Sequence, residues 1–187
     1  MLGTAVGQRG GEALNDIERL WAGWRYAYVS DPDAATPADA GDGQDGRTLF
    51  EVIEQSELDD AETYIIHRGA TCFALLNAYP YTSGHLMVLP RRAVATLNGL
   101  TDEEHDELWV MVRAAVAAVE SAFSTGGVNV GLNLGPAAGA GVPDHLHVHV
   151  VPRWAGDTNF TTATANLRVL PIALDESWRR LRDAWPG

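Results

Sequence analysis

The sequence predicts an α+β fold: an antiparallel sheet of about five strands carrying helices. Three observations predict it. Between Asp144 and Trp154, histidines alternate with aliphatic residues (His145, Leu146, His147, Val148, His149, Val150), the period-two pattern of a half-buried strand. Four further apolar stretches of strand length, 62–68, 71–77, 86–89 and 127–134, are bounded by Gly, Pro and Asn. Thr101-Asp102-Glu103-Glu104 has the form of a capping box, with acids at the positive end of a helix expected to reach Phe123 and to bury Leu108, Val112, Ala115, Val116 and Val119.

In chain order, residues 13–29 place Leu14, Ile17, Leu20, Trp21, Trp24 and Tyr28 at helical spacing, and 1–30 reads as a helical extension. Residues 31–46 are rich in Asp, Ala, Pro and Gly without apolar periodicity, a disordered acidic linker. Leu49 to Ile53 opens a short helix. The sheet domain spans 47–160, with a turn at Gly69 between its first two strands. Leu170, Leu174, Trp178 and Leu181 then mark a C-terminal helical extension over 161–187. At 187 residues and 46% hydrophobic content, the chain forms one domain with extensions.

Composition narrows the function. A net charge of −12 argues against a nucleic-acid polymer as partner, because a phosphate backbone needs a basic footprint. Eleven of the 25 acidic residues lie between Asp31 and Glu62, however, so the remainder is near neutral and a small phosphorylated ligand is compatible with it. All 13 basic residues are Arg, which excludes a Gly-Lys phosphate loop and lysine Schiff-base chemistry. Cys72 is the single cysteine and lies in an apolar run, a buried small hydrophobe in a chain suited to a reducing compartment. No apolar leader or long membrane-spanning stretch is present, so a cytoplasmic protein without a membrane partner is expected.

The histidine strand carries the chemistry. His145, His147 and His149 share one face. As a metal site it is limited: His145 and His149 lie about 13 Å apart at about 3.3 Å per residue, so at most two could share an ion. As a nucleophile, a neutral imidazole attacks phosphorus when one ring nitrogen is pinned and the other presents its lone pair. His147, in the middle, is best placed to do so, with His149 one step of about 7 Å along the face to bind the phosphate. Gly135 to Gly141, immediately upstream, is a glycine-rich turn whose amides can approach a phosphate without net charge. Trp154 offers a stacking surface for a base and Arg153 a contact for distal phosphates; either could equally serve an interface.

His-φ-His-φ-His-φ-φ (φ apolar) followed by Pro152-Arg153 resembles the histidine triad (HIT) nucleotide hydrolases and transferases, over about 47–160. The resemblance implies a HIT-like fold, a homodimer or higher homo-oligomer, and a small nucleotide substrate. It also implies site roles. Asn77 contacts the sugar, or simply caps a turn, and His85, in the Gly84-His85 signature, supports the catalytic histidines. Asn133 contacts phosphate, and Phe50 and Ile53 wall the base pocket or are plain core. The His145 carbonyl holds the ring proton of His147, with His85 behind it. With His149, Asn133 and the backbone of Gly139, Ala140 and Gly141 bearing the developing charge, His147 would attack an α-phosphorus and form a nucleotidyl-histidine.

Two departures from the family pattern stand out. Many relatives carry a loop hydroxyl where this chain has Gly141. Many bacterial relatives also hold a structural zinc through Cys-x-x-Cys and a later His, where this chain has Thr48, Glu51 and Ala93; a zinc site is therefore expected to be absent. No cofactor is required by the scheme, although magnesium can accompany a polyphosphate substrate. The Tyr79-Pro80-Tyr81 loop and the closure Pro152 to Phe160 resemble diadenosine tetraphosphate phosphorylase-type members from actinobacteria, which implies cleavage of dinucleoside polyphosphates. Hydrolysis of nucleoside phosphoramidates or aminoacyl adenylates, and nucleotide-dependent regulation with negligible turnover, are the alternatives.

Overall fold

The computed structural model describes residues 18–19, 46–157, 167–168 and 170–187. The chain runs β1 (Glu18–Arg19), α1 (Leu49–Glu54), α2 (Asp60–Thr63), β2 (Ile65–Arg68), β3 (Cys72–Leu76), β4 (Leu86–Pro90), α3 (Asp102–Phe123), β5 (Gly127–Leu132), β6 (Val148–Arg153), β7 (Leu167–Arg168) and α4 (Leu174–Ala184). Strands β2 to β6 form one five-stranded sheet in the order β2-β3-β4-β6-β5, antiparallel at every pairing. The predicted α+β class, with a five-stranded antiparallel sheet, is the observed one.

Alternation along the strands divides two cores. Cys72, Ala74, Leu76, Leu86, Val88, Val148 and Val150 face α3 and α4, meeting Leu108, Val112, Ala115, Val119, Leu174 and Leu181. Phe73, Leu75, Met87 and Leu89 face the other way and are covered by Phe50 and Ile53 of α1 together with Val142. Burying one side chain of the size of Phe73 stabilises the fold by roughly 1.5–3 kcal/mol. This second face has an apolar half under α1 and a half that carries the histidines, since His149 stands opposite Met87 on β4 and Gly131 on β5.

Helix α3 starts where its capping box predicts: the Thr101 hydroxyl accepts from the Glu104 amide, and the Glu104 carboxylate accepts from the Thr101 amide. It ends at Phe123, as expected, with Ser124 in the left-handed region at φ 46°. Of the predicted core positions on α3, Leu108, Val112, Ala115 and Val119 are buried, and Val116 packs at the margin.

Other expectations are corrected. The strand expected from Glu62 begins at Ile65, because Asp59 and Glu62 form a capping box that winds 60–63 into a helical turn closed by Tyr64 at φ 58°. The strand expected to reach Leu134 stops at Leu132. The histidine strand is regular only from Val148, and His145 and His147 precede it. The linker expected over 31–46 and nearly all of the helix expected over 13–29 lie outside the described residues. Glu18–Arg19, within that expected helix, pair in parallel with Leu167–Arg168. The boundary expected at 160 also lies outside the described residues.

The two outer strands of the sheet differ. Along β2, side chains of α4 take up backbone carbonyls: Trp178 Nε1–H donates to Ile65 O at 2.9 Å and Arg182 to Ile66 O at 3.0 Å. Along β5, Asn129, Val130 and Gly131 are exposed. No described helix is long and apolar enough to cross a membrane.

Candidate active site

Hydrogen-bond partners fix the ring tautomers. His147 Nδ1 lies 2.8 Å from the His145 carbonyl oxygen. A carbonyl only accepts, so Nδ1 carries the proton and Nε2 keeps its lone pair. On the neighbouring ring the logic reverses. The Tyr81 amide donates to His85 Nδ1 at 3.1 Å, so His85 carries its proton on Nε2, which lies 3.0 Å from His149 Nδ1. His149 accepts there and therefore presents Nε2–H. The His147 and His149 rings are perpendicular, with centroids 4.9 Å apart, closer than their backbone spacing suggests. A bare lone pair and an N–H donor thus stand side by side, the arrangement that attacks one atom of a phosphoryl group while binding another.

Electrostatics hold these rings neutral. Burial pushes the His147 pKa below the ordinary imidazole value, against the opposing pull of the His145 carbonyl. Burial, and then the proximity of His147, lowers His149 to about 4. Phe50 packs against the His147 ring at 5.3 Å and limits its exposure to 6%, while Tyr81 lies over His85 at 4.6 Å and His149 at 5.8 Å.

His145 does not line this site with its ring. It is 0% exposed, with Nε2 on the Pro90 carbonyl at 2.8 Å and Nδ1 on the Thr48 hydroxyl at 2.7 Å. Only its carbonyl reaches His147. His85 likewise stands behind His149, not behind His147 as the resemblance implied. The expected single imidazole face is therefore two rings at the site and two supporting them.

The remaining candidates divide in the same way. Asn133 follows β5, just beyond the Leu132–Val148 pair that precedes His149, and its Nδ2 reaches the Gly139 carbonyl at 3.4 Å. The glycine turn spends much of its own donor capacity: the Gly139 amide bonds Pro136 O at 3.0 Å and the Ala140 amide reaches Gly135 O at 3.4 Å. Among the described residues the Gly141 amide is the one of the three not spent inside the turn. Gly135 and Gly139 sit at φ 80° and 86°, a region glycine enters without strain. Asn77 accepts from the Tyr79 amide at 2.8 Å and its Nδ2 lies 3.5 Å from His85 Nδ1, so it both caps its turn and borders the histidines. Phe50 is at the site and Ile53 packs behind it against the second core.

Arg153 and Trp154 are not brought to the imidazoles. Arg153 forks onto Asp157 at 2.6 and 2.8 Å and bonds Asn129 at 2.8 Å. It lies four residues, roughly 13 Å, along β6 from His149. Trp154 meets Phe123 edge-on at 6.4 Å and packs against the helical core.

Three residues of the site carry no such role in the sequence. Thr48 and Glu51 stand there only as departures from a zinc pattern, yet Thr-x-x-Glu before an apolar run is itself a capping signature. Both halves of that box are present at the start of α1. Tyr81 carried no signal beyond its loop, because its stacking on two histidines is a tertiary contact.

A five-stranded antiparallel sheet whose inner strand leads a row of histidines past a glycine turn defines a histidine triad protein. The HIT domain family model matches residues 59–156, and the chain belongs to this family. It is 40% identical over 180 residues, 96% of this chain and 88% of the relative, to "AP-4-A phosphorylase" of Mycobacterium tuberculosis. It is 38% identical over 93 residues, 50% of each chain, to "Bis(5'-nucleosyl)-tetraphosphatase [asymmetrical]" of Schizosaccharomyces pombe. Among solved structures, a zinc-bound histidine triad family protein of Mycobacterium smegmatis superposes with a TM-score of 0.59 at 28% identity, covering 73% of this chain and 91% of that one.

The residues at 48, 51 and 93 do not fit zinc. They offer no thiolate, Ala93 has no donor side chain, and Thr48 and Glu51 are engaged in hydrogen bonds with His145, with each other and with the Ala93 amide.

Proposed function

We propose that the protein cleaves dinucleoside polyphosphates, of which diadenosine tetraphosphate is the type, by nucleotidyl transfer through His147. The observation that carries this reading is the pairing of the bare Nε2 of His147 with the Nε2–H of His149, rings 4.9 Å apart. His147 Nε2 attacks the α-phosphorus, the P–N bond forms, and the P–O bond to the departing nucleoside polyphosphate breaks. Positive charge rising on the ring is met by the His145 carbonyl at Nδ1, 2.8 Å away. His149, Asn133 and the Gly141 amide bind the phosphoryl oxygens. An acceptor then displaces the ring and breaks the P–N bond. Inorganic phosphate is the acceptor we favour, supported by the name of the relative that matches nearly the whole chain.

Asn77 bordering the histidines supports a sugar contact, and Phe50 with Ile53 supports a base pocket beneath α1. No step needs a resident metal, and the donor set at 48, 51 and 93 supports a protein without the structural zinc. Magnesium would enter bound to the polyphosphate. We also propose a homodimer or larger homo-oligomer, joined through exposed β5 and the exposed Trp109 and Val110 of α3, and a cytoplasmic location. A regulator that binds nucleotides with negligible turnover is the second reading, favoured by the turn's spent amides and by Gly141 in place of a hydroxyl.

Incubation with diadenosine tetraphosphate, with and without phosphate, separates these readings. ADP plus ATP only when phosphate is present is the expected result, with His147→Ala reducing turnover by about a thousandfold or more. AMP plus ATP regardless of phosphate would make water the acceptor. Tight nucleotide binding with no product from the wild type would make the protein a regulator.

A further inference from the structure

We propose that Thr48 and Glu51 form a metal-free staple that positions the nucleophile, acting on His147 through His145; this rests on the reading of His147 given above. The Thr48 hydroxyl lies 2.7 Å from His145 Nδ1, between buried groups 97 residues apart in sequence. Thr48 is 5% exposed and His145 0%. His145 Nε2 donates to the Pro90 carbonyl, so Nδ1 must accept, and the single Thr48 hydroxyl proton, which also has Glu51 Oε2 within 3.2 Å, goes to the nearer Nδ1 at 2.7 Å.

Glu51 holds Thr48 for this task. One oxygen, Oε2, accepts from the Thr48 amide at 2.9 Å, and the other, Oε1, accepts from the Ala93 amide at 3.0 Å. The staple closes on a second strand of backbone, because the Leu146 amide donates to Val94 O at 2.6 Å. The start of α1, segment 90–94 and residues 145–147 are thereby tied together by hydrogen bonds.

What the staple fixes is a carbonyl. With the His145 ring anchored at both nitrogens, its backbone oxygen cannot rotate away from His147 Nδ1, 2.8 Å distant. That bond keeps the His147 proton on Nδ1 and the lone pair on Nε2. Phe50, two residues beyond Thr48 in the first turn of α1, touches both rings at 5.4 and 5.3 Å. Loss of the Thr48 hydroxyl would leave His145 Nδ1 a buried acceptor without its donor, and the ring would turn to find another. Thr48 and Glu51 are positioning residues: neither reaches the reacting atoms.

The test is Thr48→Val, which keeps shape and removes the hydroxyl, read in two ways. The kinetic readout is a fall in kcat of about tenfold, with KM within about twofold and recovery in Thr48→Ser. The second readout needs no turnover: nitrogen-15 spectra of the imidazoles. These show His147 protonated at Nδ1 in the wild type and in Thr48→Ser, and a mixture of tautomers in Thr48→Val. If the wild type makes no product, the functional reading fails while the spectra still judge the staple. A folded Thr48→Val with unchanged kcat and an unmixed His147 tautomer overturns the proposal. Should Thr48→Val not fold, Glu51→Gln keeps the Thr48 hydroxyl and loses its carboxylate anchor; an unmixed tautomer there overturns it as well.

Discussion

At the scale of single residues, the chemistry turns on protons that are absent. His145 and His147 are held below the ordinary imidazole pKa by burial, and His149 falls from 6.5 to about 4. Each depressed group is neutral in the folded protein where the unfolded chain would bind a proton, so stability drops as pH falls through 6.5 towards 4. Glu51, Glu104 and Glu107 also titrate below the ordinary carboxylate value, and add to the loss on the same acid side, at lower pH. We therefore expect kcat/KM to hold as pH drops through 6.5, its acid limb appearing only below that value, in a profile taken from pH 8 downward. An acid limb centred at or above 6.5 would contradict the burial of these rings. The histidine row was legible in the sequence because its alternation is local, whereas Asn77, Asn133 and Phe50 entered only through the family resemblance. The inward turn of His145, the diversion of Arg153 to Asp157 and Asn129, and the hydroxyl of Thr48 were not, since each depends on a partner chosen by the fold.

At the scale of elements, one carboxylate couples a helix to a hairpin. Glu107 on α3 accepts from the amides of Ala70, Thr71 and Cys72 and from the Thr71 hydroxyl. Burial works against its charge, but those hydrogen bonds prevail and lower its pKa. Glu107→Ala would strand the amides of the β2–β3 turn, at a cost of about 2–3 kcal/mol, measurable by urea unfolding. Gly69 explains why the turn needs glycine: a Cβ there would lie 2.3 Å from Glu107 Oε1. The long helix was legible because its capping box and apolar spacing agree. The first strand was not, because a second capping box at Asp59 and Glu62 competes locally with the strand pattern and prevails as far as Thr63. The regular part of the histidine strand is shorter than its alternation suggests, since His145 spends its ring on Thr48 and Pro90 rather than on a solvent face.

At the scale of the whole molecule, the sheet is closed on one side and open on the other. Val130 on β5 is 44% exposed, and Trp109 and Val110 on α3 are 39% and 55% exposed. With an oligomer joined there, Val130→Arg should shift the particle mass measured by light scattering to that of a single chain; a wild type that already runs as a monomer would remove the proposal. The five strands were foreseeable from apolar stretches of strand length, whereas the two-sided core and the difference between the two edges were not, because which face each side chain takes and the polar contacts of α4 appear only once folded.

That difference bears on how the chain is made. The carbonyls of β2 wait for Trp178 and Arg182, 113 and 116 residues further along. During synthesis the first strand of the sheet must persist unsealed until a segment 113 to 116 residues downstream has emerged to cap it. A nascent chain halted before Trp178 keeps a raw strand margin to which other nascent copies can add.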